Sequence, residues 1–266
     1  MIAQRFQDIK LVLLDMDGTI YLQDRLFDGV KELLAYFKRH GIRAVYLTNN
    51  SARSVQDYIL KLRRMGIETT EEDFFTSAQA TEFDLLKNHA CDKIYVVGTE
   101  SLKQQFRAAG LRIAEAPEED VSVLVSAYDT ELTYQKLEDA CILLGRGVDY
   151  IATNPDWVCP TWYGYAPDCG SISTMLKNAT GRWPRFIGKP EPVMPLMAVQ
   201  RAGCRRDQAI MVGDRIYTDI ASGVNAGIST LLVLSGEATM QDAERSEIKP
   251  EFILPDLNEL YKLLTE

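Results

Sequence analysis

The sequence predicts an α/β protein, a parallel sheet covered by helices, and three observations carry that reading. Short apolar runs of strand length alternate with segments whose apolar residues recur at helical spacing. The order strand, loop, helix repeats along the chain, as parallel sheets require. Polar residues capable of chemistry stand directly after several runs, where open parallel sheets bind their ligands.

The elements follow in order. KLVLL (10–14) reads as a short buried strand, and Val30, Leu33, Leu34 and Phe37 then mark a helix that Gly41 ends. IRAVYL (42–47) is a second strand, leading into TNNS (48–51); Val55, Ile59 and Leu62 mark a helix stopped near Gly66. KIYVVG (93–98), VSVLVS (121–126) and DYIAT (149–153) are strands with helices between them, one presenting Tyr134, Leu137, Cys141 and Leu144 on a single face. Residues 154–171, rich in Pro, Gly, Trp and Tyr, read as an aromatic loop. RFIGKP (185–190), a helix with Val193, Leu196 and Met197 inward, QAIMVGD (208–214), a short helix to Gly227 and STLLVL (229–234) come next. The last helix shows Leu257, Leu260, Tyr261 and Leu264, and no internal repeat or low-complexity segment interrupts the pattern.

Composition narrows the function classes. At 266 residues, 46% hydrophobic and 25% charged, the chain suits one large or two modest soluble domains. No apolar run reaches the ~18 residues of a membrane helix, and MIAQRFQDIK lacks an apolar signal core. The expectation is a cytoplasmic protein without a membrane partner. Five cysteines with no CxxC pair read as reduced packing thiols. Only two histidines are present, His40 and His89, both near predicted helix ends, so neither a zinc site nor a Ser-His-Asp or Cys-His mechanism is expected. The net charge of −9 gives no counterion-release attraction to nucleic acid. An anionic ligand would need positive charge concentrated locally. No GxGxxG follows any strand, which excludes a dinucleotide fingerprint.

Four segments then stand out together. LVLL runs into Asp15 and Asp17, two carboxylates that repel unless a cation lies beside them. Strand 42–47 ends in Thr48, Asn49 and Asn50; strand 185–187 ends in Gly188, Lys189 and Pro190; strand 208–212 ends in Gly213, Asp214 and Arg215, with Thr218 and Asp219 just beyond. Each alone is ordinary. Asp marks turns, VGD before a helix suits an N-cap, and Gly181 to Lys189 has the wrong spacing for a P-loop. Four such ends in one chain are poorly explained by turn chemistry. Their inventory suits a hard, oxygen-ligated dication such as Mg²⁺ beside a phosphate.

DMDGT (15–19), TNN (48–50), GKP (188–190) and GDRIYTD (213–219) resemble, in order, the four motifs of the haloacid dehalogenase superfamily. ATNPD (152–156), PDCGSI (167–172), AGIST (226–230) and LVLSG (232–236) resemble the branch with a large cap between the second and third motifs. That branch includes 4-nitrophenyl phosphatases, NagD-type nucleotide phosphatases, and phosphoglycolate and pyridoxal-phosphate phosphatases. The resemblance implies a Rossmann-like core domain at 1–78 and 183–266 and an α/β cap domain at 79–182 that sets substrate specificity. It implies a Mg²⁺-dependent phosphatase acting on a small organic phosphomonoester, a sugar phosphate or nucleoside monophosphate. Asp15 would be the nucleophile, giving an aspartyl-phosphate, and Asp17 the acid and base. Mg²⁺ would be held by Asp15, Asp214 and the backbone carbonyl of Asp17, with Asp219 orienting the metal's surroundings. Lys189, Thr48 and Asn49 would bind the phosphoryl group.

Asp17 points to phosphatase or phosphomutase, and the large inserted domain to the phosphatase branch. Two departures from the branch are a loop between Asn154 and Cys169 that is longer and more aromatic than the nucleotide phosphatases imply, and the EATMQDAERSEIKP segment after Gly236. Trp157, Trp162, Tyr163 and Tyr165 have two open readings, stacking on a sugar or base and packing an interface. Asn154 and Asp156 either read substrate hydroxyls or cap a turn. A homodimer through the cap is a further implication. The competing readings are a phosphotransferase on the same scaffold and a non-catalytic phosphate-ligand-binding protein; the intact Asp15, Asp17, Lys189 and Asp214 weigh against the second.

Overall fold

In the computed structural model, residues 2–161 and 163–266 are described. Contacts divide them into two units: the segment up to Thr48 with Val55–Phe75 and Lys189–Glu266, and Asn49–Ser54 with Thr76–Gly188. The strands in chain order are β1 (Leu11–Leu14), β2 (Tyr21–Leu22), β3 (Arg25–Leu26), β4 (Arg43–Thr48), β5 (Phe74–Thr76), β6 (Lys93–Val97), β7 (Arg112–Ala114) and β8 (Val121–Ser126). They continue with β9 (Asp149–Ala152), β10 (Val158–Thr161), β11 (Gly164–Pro167), β12 (Arg185–Phe186), β13 (Ala209–Gly213), β14 (Ser229–Val233) and β15 (Phe252–Leu254).

The first unit is built on a sheet ordered β15-β14-β13-β1-β4-β5. β1 pairs in parallel with β13 on one side and β4 on the other, Leu11 lying opposite Ala209 and Arg43. β13, β14 and β15 continue the parallel ladder. All four residues of β1 are buried, as expected for a central strand covered on both faces. Helix Val30–Arg39 buries Val30, Leu33 and Phe37, and helix Val55–Arg64 buries Tyr58, Ile59 and Leu62, each at helical spacing. Helix Val193–Ala202 turns differently from the expectation: Met194, Pro195, Ala198 and Val199 are buried, while Val193, Leu196 and Met197 are only partly so. VMPLMAV is apolar all round, so its periodicity chose no face.

The second unit carries its own parallel sheet, ordered β12-β9-β8-β6-β7. The α/β reading therefore holds in both units. β12 belongs to this sheet because it pairs with β9, and Gly188 N donates to Thr153 O at 2.8 Å. Residues 183–188, expected in the core domain, thus lie in the second unit, and the change of unit falls between Gly188 and Lys189. The expected loop 154–171 needs correction too. It contains the antiparallel hairpin β10–β11 and the start of helix Cys169–Thr180. The prolines that argued for a loop are tolerated because the ladder has only two strands, both of them edges. In helix Tyr134–Arg146 the buried face is Asp139, Ala140, Leu143 and Leu144, with Tyr134 exposed in its first turn. No helix among the described residues is long and apolar enough to cross a membrane.

Candidate active site

The sequence brings Asp15 to its place by extending β1 one residue beyond the strand, where its N–H still donates to Val212 O at 2.9 Å. The chain then turns sharply. Gly18, at φ +89°, donates its N–H to Tyr21 O at 2.8 Å and so closes the turn that leads into β2. β13 delivers Asp214 directly after its last residue. A π-helical segment, Ile216–Ile220, then carries Asp219 back toward the strand end.

Three carboxylates meet there. Asp15, Asp214 and Asp219 each present an oxygen within 4.8 Å of the others. Lys189 supplies the ammonium: its Nζ donates to Asp15 Oδ1 at 2.5 Å, Asp219 Oδ1 at 2.7 Å and Leu47 O at 3.2 Å. Lys189 is 2% exposed. Burial works against its charge, but Asp15 and Asp219 outweigh burial and hold its pKa above the ordinary lysine value. Burial, Asp15 and Asp219 push the Asp214 carboxyl up to about 8, against the opposing Glu237 N–H and Arg215. Burial and Asp15 also raise Asp219, with Lys189 opposing. Three acids and one contacting ammonium leave the cluster short of positive charge.

Asp214 is held tightly. Glu237 N donates to its Oδ2 at 2.8 Å and Thr19 Oγ1 to its Oδ1 at 3.3 Å. A β-carbon at Gly236 would lie 2.0 Å from Asp214 Oδ2, and one at Gly18 2.4 Å from the same atom. Ser235 Oγ donates to Gly18 O at 2.7 Å, tying the two glycine segments together. Asp219 is fixed by Arg215 N, 3.0 Å from its Oδ2. Thr19, Ser235 and Gly236 escaped the sequence reading as site residues. Ser235 and Gly236 close the LVLSG motif, but their contacts are not local: Ser235 meets Gly18, 217 positions away, and Gly236 meets Asp214.

Asp17 has different partners. Its carboxylate, 42% exposed, accepts from Tyr21 OH at 3.3 Å and lies 3.8 Å from Lys61 Nζ. Thr48 is buried at the end of β4.

The remaining predicted residues lie in the second unit. Asn154 Nδ2 donates to Asn49 O at 2.7 Å, and Asp156 Oδ1 accepts from Asn49 Nδ2 at 3.1 Å. Asn154 Oδ1 accepts from Asp156 N at 3.0 Å, an Asx turn. Ser77 Oγ adds a second donor to Asn49 O at 2.6 Å. Asn154 and Asp156 are both buried and engaged with Asn49 or with each other. Trp157, Tyr163 and Tyr165 are exposed, and Trp162 lies outside the described residues.

Residues 12–112 match the family model of haloacid dehalogenase-like hydrolases, and residues 186–260 match a HAD-hydrolase-like model. An acid sugar phosphatase of Staphylococcus aureus is 36% identical over 250 residues, 94% of this chain and 96% of its own. Among solved structures, a 4-nitrophenylphosphatase from Thermotoga maritima has a TM-score of 0.92 and 42% identity, covering 98% of this chain and 99% of its own. A glycerol phosphate phosphatase from Mycobacterium tuberculosis in complex with magnesium has a TM-score of 0.90 and 32% identity, covering 97% and 78%. Parallel sheets, an acidic strand-end cluster and relatives of this kind define the class, a phosphoric monoester hydrolase. The chain belongs to the haloacid dehalogenase-like hydrolases.

Proposed function

We propose that this enzyme hydrolyses a small phosphorylated sugar or polyol through an aspartyl-phosphate on Asp15, with Mg²⁺ as its cofactor. The observation that carries the reading is the buried ammonium of Lys189 between Asp15 and Asp219, with Asp214 completing the acidic trio. Asp15 Oδ attacks phosphorus, forming the acyl phosphate as the ester P–O bond breaks. Asp17 gives its proton to the departing oxygen, then takes one from the water that cleaves the Asp15–phosphate bond. Lys189 holds the nucleophile in place and balances charge on the transferring group. Thr48 and Asn49, consecutive at the end of β4, are assigned to hydrogen-bonding that group.

The donor set fits the cation. Hard carboxylate oxygens converge, and one ammonium does not neutralise them. Asp15, Asp214 and the backbone carbonyl of Asp17 would hold Mg²⁺, with Asp219 beside them. Bound there, Mg²⁺ would supply charge stabilisation for the phosphoryl oxygens. The substrate class draws on the sugar and glycerol phosphatases among the relatives. The second unit, close to the expected cap at 79–182, is assigned the choice of substrate.

The test is phosphate release from sugar phosphates, glycerol phosphate and 4-nitrophenyl phosphate, with Mg²⁺ or EDTA, for wild type and Asp15→Asn. Release that needs metal and disappears in Asp15→Asn is expected. Turnover that survives in Asp15→Asn would rule out the covalent route.

A further inference from the structure

Asp17 is held by a cation of its own. Lys61 Nζ lies 3.8 Å from Asp17 Oδ1 and 3.7 Å from the centroid of the Tyr21 ring, while Tyr21 OH donates to Asp17 Oδ2 at 3.3 Å. The three side chains close a triangle, with each oxygen of the acid engaged by a different group. Tyr21 is fully buried, and the turn between Asp17 and Tyr21 fixes the phenol's reach. Lys61 rises from the last turn of helix Val55–Arg64, where a lysine ordinarily serves the helix terminus and points to water. Arg63 and Arg64, in the same last turn, are exposed. The Lys61 side chain is only 14% exposed, against 42% for Asp17. Its stem is packed away and its charge is delivered to the acid, whose remaining surface stays open.

We propose that Lys61 and Tyr21 are positioning residues that hold Asp17 where it passes its proton to the leaving oxygen. The inference rests on the phosphatase reading above. In the first step the Asp17 O–H bond breaks, its proton goes to the ester oxygen as the P–O bond to the leaving group breaks, and Asp15 oxygen bonds to phosphorus. In the second, Asp17 carboxylate takes a proton from water as the water oxygen bonds to phosphorus and the Asp15–phosphorus bond breaks. An acid out of place penalises the first step only when the leaving group needs the proton. An acidic phenol leaves as its anion and is insensitive to the acid.

The experiment compares kcat/KM for phenyl phosphate and 4-nitrophenyl phosphate, similar in size and different in leaving-group acidity. Positioned acid catalysis is worth roughly 10²–10⁴-fold, and partial misplacement should forfeit part of it. Lys61→Met should lose about tenfold more kcat/KM on phenyl phosphate than on 4-nitrophenyl phosphate, and Lys61→Arg should recover most of the difference. Tyr21→Phe keeps the ring under Lys61 and removes only the hydroxyl; it should shift selectivity the same way, and it serves if Lys61→Met fails to fold. Equal losses on both substrates, or no loss, in a folded variant would overturn the inference while leaving the phosphatase reading intact. Wild type inactive on both phosphates would bring down the phosphatase reading, and this inference with it.

Discussion

Loading the metal-free enzyme with Mg²⁺ at pH 7 should expel about one proton, and Asp214 is its source. Burial and the neighbouring Asp15 and Asp219 place the Asp214 carboxyl at about 8. Below that value it is mostly protonated, so a proton should leave when the ionised carboxylate takes the cation. Well above pH 8 the release should fall away. The same shift fixes the sign of the stability change. The folded state holds this proton more tightly than the unfolded chain, so the contribution is full below about pH 4 and is lost as pH rises toward 8. At about 1.4 kcal/mol per pH unit the loss across that window is on the order of 5 kcal/mol. Asp219, raised by burial and Asp15, adds in the same direction. Titration calorimetry of Mg²⁺ in two buffers of different ionisation enthalpy counts the proton, and urea unfolding from pH 5 to 8 with and without Mg²⁺ reads the stability. Identical binding enthalpies in both buffers at pH 7 would refute the argument that the trio is a protonated cluster awaiting a dication.

Two further outcomes follow from the same cluster. Lys189→Met strands Asp15, Asp219 and the Leu47 carbonyl without their ammonium, and should cost about 3–5 kcal/mol in urea unfolding at pH 8 without metal. The deficit should shrink at pH 5 as the carboxylates protonate; an equal deficit at both values would show that packing, not charge, was lost. Gly236→Ala puts a β-carbon 2.0 Å from Asp214 Oδ2, so the carboxylate must move. Mg²⁺ affinity should weaken about 10–100-fold, and a fluorescence or calorimetric titration indistinguishable from wild type would disprove the cradle.

The parts of this site legible in the sequence are those where chemistry coincides with local pattern. Asp15 and Asp214 each follow an apolar run, so the end of a strand announces them. Lys189 is legible only in their company, and its strand pairs in the second unit rather than beside β1. What stayed hidden depends on contacts between distant segments. Lys61 looks like any lysine in a helix's last turn until the fold brings it to Asp17, 44 positions earlier by number. Asn154 and Asp156 are more than 100 residues from the Asn49 they engage, and either role suited an Asn-Pro-Asp turn. The β10–β11 hairpin was obscured by its own prolines, which count against a strand only where both neighbours need its N–H groups.

The charge of the molecule explains why its cations are placed as they are. On the proposed mechanism a protein of net charge −9 must bring an anionic nucleophile to an anionic substrate. Added surface lysines would help little, because exposed charges are screened within about 10 Å at ordinary ionic strength. A buried ammonium is not screened in that way, and Lys189 has almost no contact with water. It offsets one of the three clustered carboxylates, and a dication would offset the other two. Burial and the neighbouring Asp15 and Asp219 raise the Asp214 pKa, so this carboxyl meets part of the deficit by retaining a proton. On the proposed mechanism Asp17 would act as acid and base, a role separate from that of the trio. Its separate partners, Lys61 and Tyr21, would on that proposal let the acid stand two residues from the nucleophile and still be governed independently of it.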